Sequence, residues 1–317
     1  MRFLLFTFHS IMGGYMLDVV AIGNISADLY FSADELTKEG NRLHLAIGGK
    51  YRASWFEMHV GGGGANVSIG CAKQGLRAAA VGMVGNNIFR KSILQRLKLA
   101  KVSRRYISFN QKDASVSIIL LDKHGERTII KHQSSHKHSA DEKYSLRHIQ
   151  PARVVYFGNM PDVSALERAR VMKRLKVHNS KIVCNLGIRD CTAPKRHIDE
   201  LLEHADVLIV NTYEFAEMVR KKRSAIDFKK SIFSHMPKMK DRLVVVTDSA
   251  SGSYGYLGDK VHHQKAIKPR RIVDTTGAGD AYTSGFITSY IMHEDIPHAL
   301  KKGAQAAAKI LTVRGAN

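Results

Sequence analysis

Short, unbroken runs of β-branched and other apolar residues alternate with amphipathic stretches over most of this sequence, and that alternation constrains its fold more than any other feature. The runs include Val19-Val20-Ala21-Ile22, Ala79-Ala80-Val81-Gly82, Val154-Val155-Tyr156-Phe157, Lys181-Ile182-Val183-Cys184, Val207-Leu208-Ile209-Val210 and Leu243-Val244-Val245-Val246. A strand covered by helices on both faces is apolar at consecutive positions, which is how these runs read. Between them lie stretches such as 87–99, where Phe89, Ile93 and Leu97 recur every four residues and share one helix face. The expected architecture is α/β, with an open, doubly wound, mostly parallel sheet. With 317 residues the chain is long enough for one large domain or two small ones, and its 44% apolar content is ordinary for a globular core.

Two segments break the rhythm. Residues 29–60 contain period-two stretches and no strong helix. Residues 115–130 read as a hairpin, with Ser117 to Leu121 and Arg127 to Ile130 as strands around a turn at Lys123-His124-Gly125. Strands that interrupt an α/β alternation can pair into a small separate sheet, expected here over about 29–60 and 113–135. Laid over the edge of the main sheet, it would form a lid that excludes water from a site beneath.

The start of the sequence stands apart. Met1 to Phe8 is signal-like, but its apolar run is short and no small-residue cleavage site follows. Met16 directly precedes the first strand, Leu17 to Gly23, so residues 1–16 are expected to be an extension outside a fold spanning 17–317. No apolar run is long enough to cross a bilayer. The three cysteines (Cys71, Cys184 and Cys191) show no paired spacing, which fits reduced thiols and a cytoplasmic protein. Cys71 and Cys184 stand in apolar contexts as small core residues.

Charge is unusual: 49 basic against 28 acidic residues give +21, and from Ala65 to Lys112 ten lysines and arginines occur without one acid. Such a surface suits nucleic acid or acidic partners, and equally anionic substrates. The basic residues are dispersed along helices, with no zinc-finger, helix-turn-helix or aromatic RNA-binding signature. That favours a solvated exterior over a dedicated nucleic-acid interface.

Chemistry concentrates at two glycine clusters. Asp274-Thr275-Thr276-Gly277-Ala278-Gly279-Asp280 leads into a helical stretch, Ala281 to Met292. A glycine turn that opens a helix directs free N–H groups at one spot, and the helix end adds partial positive charge. The result is a seat for phosphate or a developing anion. Asp280 puts a carboxylate beside it, and a base next to an anion cradle suits phosphoryl transfer to a hydroxyl. A plain turn capped by the acid is the structural alternative. The second cluster, Gly61-Gly62-Gly63-Gly64-Ala65-Asn66, opens a helix through Val67, Ile69 and Cys71. It is not a dinucleotide-binding turn, because no acid stands at the required distance downstream, nor a Walker loop, because no Gly-Lys-Ser/Thr follows. Its glycines either let the backbone approach a polyhydroxyl compound beside Asn66 or merely permit a turn. Asp28, just past the first strand, stands where α/β sheets bind ligands and can accept from two hydroxyls; capping a turn is its competing role.

With both glycine motifs and this acid in the same order, the chain resembles the ribokinase (PfkB) family of carbohydrate and nucleoside kinases from about Leu17 onward. The resemblance implies a doubly wound domain with a small β lid, ATP as donor, and Mg²⁺ bridging the donor phosphates. It implies that Asp280 is the catalytic base toward an acceptor hydroxymethyl group, with Gly277, Ala278 and Gly279 as the anion hole. Asp28, Gly62, Gly63 and Asn66 correspond to sugar-binding positions, and Asn159 to a further substrate contact. Asn211-Thr212-Tyr213-Glu214 matches the family's Asn-x-x-Glu element near the phosphates and Mg²⁺, and Thr247 a nucleotide-contacting position. Asp274 and Thr276 match residues that bind a monovalent cation, such as K⁺, in some members. No side-chain set is identified as a direct metal cage, and no membrane partner is expected. Lid strands can pair between subunits in this family, so the resemblance is compatible with a homodimer through the lid.

Several positions depart from the pattern. Asn86 stands where Asp is common, Arg90 near a usual Gly, and Asp248-Ser249 follows Thr247 where Gly is common. The glycine cluster lacks a lysine that some relatives show, and no site for a second phosphate stands out. The expected acceptor is therefore an unphosphorylated ribose- or fructose-like sugar, or a ribonucleoside. The basic surface and the substitutions at Asn86 and Ser249 leave a second reading, a catalytically silent protein of the same fold that senses a ligand or associates with nucleic acid. The intact Gly-Ala-Gly-Asp turn argues against it. His132, His136 and His138, with Ser134 and Ser135, read as an exposed loop after the lid hairpin rather than a metal site.

Overall fold

Nine strands in the order β15-β14-β13-β12-β11-β10-β1-β6-β7 form the main sheet of the protein in a computed structural model, which describes residues 17–33, 35–40, 42–110, 115–122, 127–132, 148–160 and 163–317. Residues 1–16, the turn at Lys123-His124-Gly125, and His136 and His138 lie outside the described residues. Strands are numbered in chain order. The main sheet comprises β1 (Leu17–Ile22), β6 (Ala78–Gly85), β7 (Ser103–Asn110), β10 (Ala152–Phe157), β11 (Lys181–Asn185), β12 (Val207–Asn211), β13 (Leu243–Thr247), β14 (Ser253–Leu257) and β15 (Lys260–Gln264). All neighbours are parallel except β13–β14 and β14–β15, which close one edge as antiparallel pairs.

Each expected apolar run is a strand of this sheet, and the register explains the runs. Val20 and Ile22 of β1 face a cluster that includes Met172 and Leu175 of α3 (Ala165–Val177), Leu201 of α4 (Lys195–Glu203) and Phe215 of α5 (Thr212–Met218). Val19 and Ala21 face the opposite cluster. It contains Val67 and Cys71 of α1 (Gly63–Lys73), Phe286 of α6 (Ala278–His293) and Leu300 of α7 (Ile296–Ile310). Both parities of the strand are thus buried, as a doubly wound sheet requires. A further helix, α2 (Arg90–Leu99), buries Ile93 and Leu97 against Val84 and Ile107. Cys71, Cys184 and Cys191 are free and buried.

The lid is a four-stranded sheet in the order β5-β2-β8-β9: β2 (Ser26–Ser32), β5 (Trp55–Gly61), β8 (Val116–Leu121) and β9 (Arg127–His132). The expected hairpin is β8–β9, although β9 runs on to His132, which pairs with Val116. His132 is therefore a strand residue and not part of a following loop. A short hairpin, β3 (Thr37–Glu39) with β4 (Arg42–His44), lies between β2 and β5 in sequence.

Strand order reverses at β1, where the chain proceeds to β6 and β7 on one side and to β10 through β13 on the other. Ligands of open α/β sheets bind outside the carboxyl ends of strands at such a reversal. The ends of β1 and β10 and the start of α1 meet there: a Cβ built on Gly23 would lie 3.0 Å from the Gly64 nitrogen and 3.8 Å from the Gly158 Cα.

Candidate active site

Asp280 lies in the first turn of α6. The preceding turn closes because Gly277 adopts φ 75°, a left-handed conformation that glycine takes without steric cost. A Cβ on Gly277 would stand 2.4 Å from the Ala316 Cβ, so no side chain fits there. The turn is braced by Asp274, 2% exposed, whose carboxylate accepts the amides of Thr276 at 2.8 Å and Gly315 at 3.1 Å. The Ala278 amide makes a long bond to the Thr275 carbonyl at 3.4 Å. Those of Gly279 and Asp280 belong to a helical first turn, where the helix itself supplies no acceptor. Space above Gly279 is open, with no atom within 4 Å of where a Cβ would be.

The second glycine cluster meets this turn. Asn66 in α1 is buried and donates from Nδ2 to the Asp280 Oδ2 at 2.8 Å, joining motifs 214 residues apart. A Cβ on Gly63 would stand 3.5 Å from the Asp280 Oδ1 and 3.7 Å from the Tyr156 hydroxyl, which places Gly63 on the wall between them. Gly62 is the residue before α1, and Gly61 carries Asp28 directly over its Cα: a Cβ there would sit 1.9 Å from the Asp28 Oδ2. Asp28, on β2, is 6% exposed and accepts the Ser26 hydroxyl at 3.0 Å.

Burial pushes both carboxyls above the usual carboxylate range. For Asp28, the Ser117 and Ser26 hydroxyls and the positive charges of Lys131 and His59 oppose the rise. For Asp280, the Asn66 amide and Lys131 pull back, whereas the negative charge of Asp28 adds to the increase. Two acids thus share one electrostatic field, and both are raised by burial.

Tyr156 was not singled out by sequence reasoning. It is 1% exposed, and its hydroxyl lies 3.5 Å from the Asn185 Oδ1. Burial and the charge of Asp280 hold its ionisation well above the normal range, so it faces the site as a neutral hydroxyl. In the sequence it is one more residue of an apolar strand. Asn159 is exposed just past β10 and packs over Gly187, where a Cβ would meet its Nδ2 at 2.4 Å.

Asn211 and Glu214 form a reciprocal capping box at the start of α5. Asn211 accepts the Tyr213 and Glu214 amides at 2.9 Å, and Glu214 accepts the Asn211 amide at 2.9 Å. Burial raises the Glu214 carboxyl, and its charge is felt at Tyr156. Thr247 pairs directly with Asn211 across β12 and β13, so both stand on the same sheet edge. Beside them Asp248 accepts from Thr212 at 3.1 Å and from Arg223 at 2.6 Å. Ser249 occupies φ 45°, a left-handed conformation in a residue that is not glycine. Asn86 and Arg90 are bonded to each other at 3.2 Å.

The residues suit the groups a phosphoryl-transfer site would take. The open face over Gly279 has room for a phosphate at a helix N-terminus. Near Asp274, the Thr276 and Tyr30 hydroxyl oxygens are buried within each other's reach but form no hydrogen bond of good geometry among the described residues, a hard-oxygen set compatible with a cation.

The chain belongs to the pfkB family of carbohydrate kinases, whose profile matches residues 16–317. It is accordingly an ATP-dependent sugar or nucleoside kinase. It is 28% identical over 263 residues to a fructosamine kinase of Bacillus subtilis, covering 82% of this chain and 86% of that one. To the ribokinase of Arabidopsis thaliana it is 25% identical over 306 residues, covering 94% and 77%. Its fold is similar to that of Methanocaldococcus jannaschii nucleoside kinase, an archaeal member of the ribokinase family, with TM-score 0.73, 20% identity and coverage of 96% and 94%. It is likewise similar to Arabidopsis thaliana ribokinase complexed with ribose and ATP, with TM-score 0.75, 23% identity and coverage of 95% and 94%. No helix among the described residues is long and apolar enough to cross a membrane.

Proposed function

We propose that this kinase phosphorylates a primary hydroxyl of an unphosphorylated sugar or ribonucleoside, with Asp280 as general base. The hydrogen bond from Asn66 to Asp280 carries this reading, because it unites the acceptor-side glycine cluster with the helix mouth at one carboxylate. Asp28, Gly62, Gly63 and Asn66 hold the acceptor's hydroxyls beneath the lid, and Asn159 borders them. Asp280 takes the hydroxyl proton while the alcohol oxygen bonds to the γ-phosphorus of ATP and the bond to the ADP oxygen breaks. The amides of Gly277, Ala278 and Gly279 face the charge that develops on the transferring group. Asn211, Glu214 and Thr247 border the donor phosphates and nucleotide. Mg²⁺, held mainly through those phosphates, would offset their charge. Asp274 and Thr276 would seat K⁺, the orphaned Thr276 hydroxyl being the support for that assignment.

The lid's outer face supports a homodimer. Leu29, Phe31, Met58, Phe56, Ile118 and Ile130 share the face opposite Asp28 and Tyr30, and Phe56 and Ile130 are 55% and 53% exposed. A second copy of this chain is the occupant that would bury them. Free, buried thiols suit the cytoplasm, where ATP is available.

Asp280→Asn tests the function. In a coupled ATP-consumption screen across ribose, fructose, 2-keto-3-deoxygluconate, adenosine, inosine, guanosine and cytidine, it should lower kcat on the accepted substrate by at least about 10²-fold. ATP binding should be nearly unchanged. Near-normal turnover would refute the assigned base.

A further inference from the structure

Asn66 can restrain Asp280 in one useful way only, with its NH₂ toward the carboxylate and its carbonyl away. Its Oδ1 accepts from the Asn317 Nδ2 at 2.9 Å, and the same Asn317 nitrogen donates to the Val60 carbonyl at 2.5 Å. The Asn317 Oδ1 in turn accepts from the Arg96 Nε at 3.0 Å. Polarity along this chain is fixed at both ends. A guanidinium only donates, so Arg96 must face the oxygen of Asn317; a peptide carbonyl only accepts, so Val60 must face its nitrogen. The other hydrogen of that nitrogen is left for the Asn66 oxygen, which turns the Asn66 nitrogen to Asp280. An ionised carboxylate also only accepts, so the far end agrees.

Resting on the general-base reading of Asp280, we propose that Asn317 is a positioning residue for catalysis: it locks the amide of Asn66 in the orientation that keeps Asp280 ionised and aimed. It touches neither reacting atom. Arg96, of α2, and Val60, at the end of the lid strand β5, complete the clamp, so one side chain ties α2, the lid and α1 to the base on α6. Without it the Asn66 amide is free to flip, and a carbonyl oxygen facing the carboxylate favours the protonated acid, which cannot act as a base.

The test is the pH dependence of kcat/KM in Asn317→Leu, Asn317→Asp and Asn317→Gln, alongside thermal melts of the same proteins. Asn317→Leu removes the lock without adding charge, and its acid limb should move up by about half a pH unit. Asn317→Asp, which can only accept and so demands the flipped Asn66, should move the limb up by about one unit. Asn317→Gln keeps both donor and acceptor and should bring the limb back toward wild type. If Leu does not fold, the nearly isosteric Asp variant and the amide-retaining Gln variant decide alone. Acid limbs superimposable on wild type, whatever the melting temperatures, would overturn the proposal. Asp280→Asn separates the two ideas: if it retains turnover the base assignment fails, and if it is inactive while the Asn317 limbs stay fixed only the positioning role fails.

Discussion

Substituting Gly61 by alanine should strike acceptor binding through a single displaced carboxylate. Gly61 has no left-handed backbone requirement, so the main chain accepts a Cβ, but that atom would be built 1.9 Å from the Asp28 Oδ2 and 2.4 Å from its Cγ. To open the closer contact even to 3.0 Å the carboxylate must retreat by about 1.1 Å. Asp28 has little freedom to do so: it is 6% exposed, has a short stem, and is tethered to Ser26 at 3.0 Å. A misplacement of that size at a positioning group costs about 10²-fold in rate. Overpacking a buried site costs about 1–3 kcal/mol of stability. Initial rates against acceptor concentration, at saturating ATP, should show the loss mostly in KM, with a lowered Tm in a thermal melt. Gly63→Ala is the control, since its Cβ stands an ordinary 3.5 Å from Asp280. It should fold normally and lose activity only by crowding the bound hydroxyl. Unchanged KM and Tm for Gly61→Ala would refute the packing of Asp28 on Gly61.

Other outcomes follow from the same contacts. Because burial raises the folded Asp280 carboxyl and the base must be ionised, kcat/KM should be full above that raised value. It should fall as pH drops through it, above the usual carboxylate range, and a limb at the ordinary range would contradict the site. The stability sign is opposite. Between the unfolded and the folded value the native state binds more protons, so stability declines as pH rises across that window. Asp280→Asn should therefore melt above wild type at neutral pH, with the gap closing on acidification; a lower Tm at neutral pH would contradict this. Ser249→Gly relieves a left-handed serine and should stabilise the protein by about 1 kcal/mol, a rise of about 2 °C in Tm. An unchanged or lowered melt would show that the turn carries no strain.

The sequence displayed the sheet's interior well because Val207 to Val210 and its counterparts are apolar at every position, a signature that only two-sided burial demands. Edges were hidden for the converse reason. Strand β7 reads Ser-Arg-Arg-Tyr-Ile-Ser-Phe-Asn and continues the sheet beyond β6, yet Arg104 and Arg105 are exposed. An edge strand needs only one apolar parity, and charges there discourage unwanted pairing. Strands β14 and β15 are similarly mixed. At the site, glycines and acids announced themselves through local turn chemistry, whereas Tyr156 did not, since its place there comes from Gly63 and Asp280, far from it in sequence. The Asn66–Asp280 and Asn66–Asn317 contacts span 214 and 251 residues, beyond the reach of any periodicity.

The central place of β1 has a consequence for how the protein is made. Strand β1 takes one neighbour at residues 78–85 and must wait during synthesis for residues 152–157 to supply the other. During that interval its apolar flank is an open edge, able to capture a strand from another nascent copy. The early half carries Asp28 and Asn66 and the late half Asp280, so neither holds all of the proposed site. A chain arrested midway through translation is therefore sticky but incapable of wasting ATP, and slowing elongation before residue 152 should raise the aggregated fraction without generating stray hydrolysis.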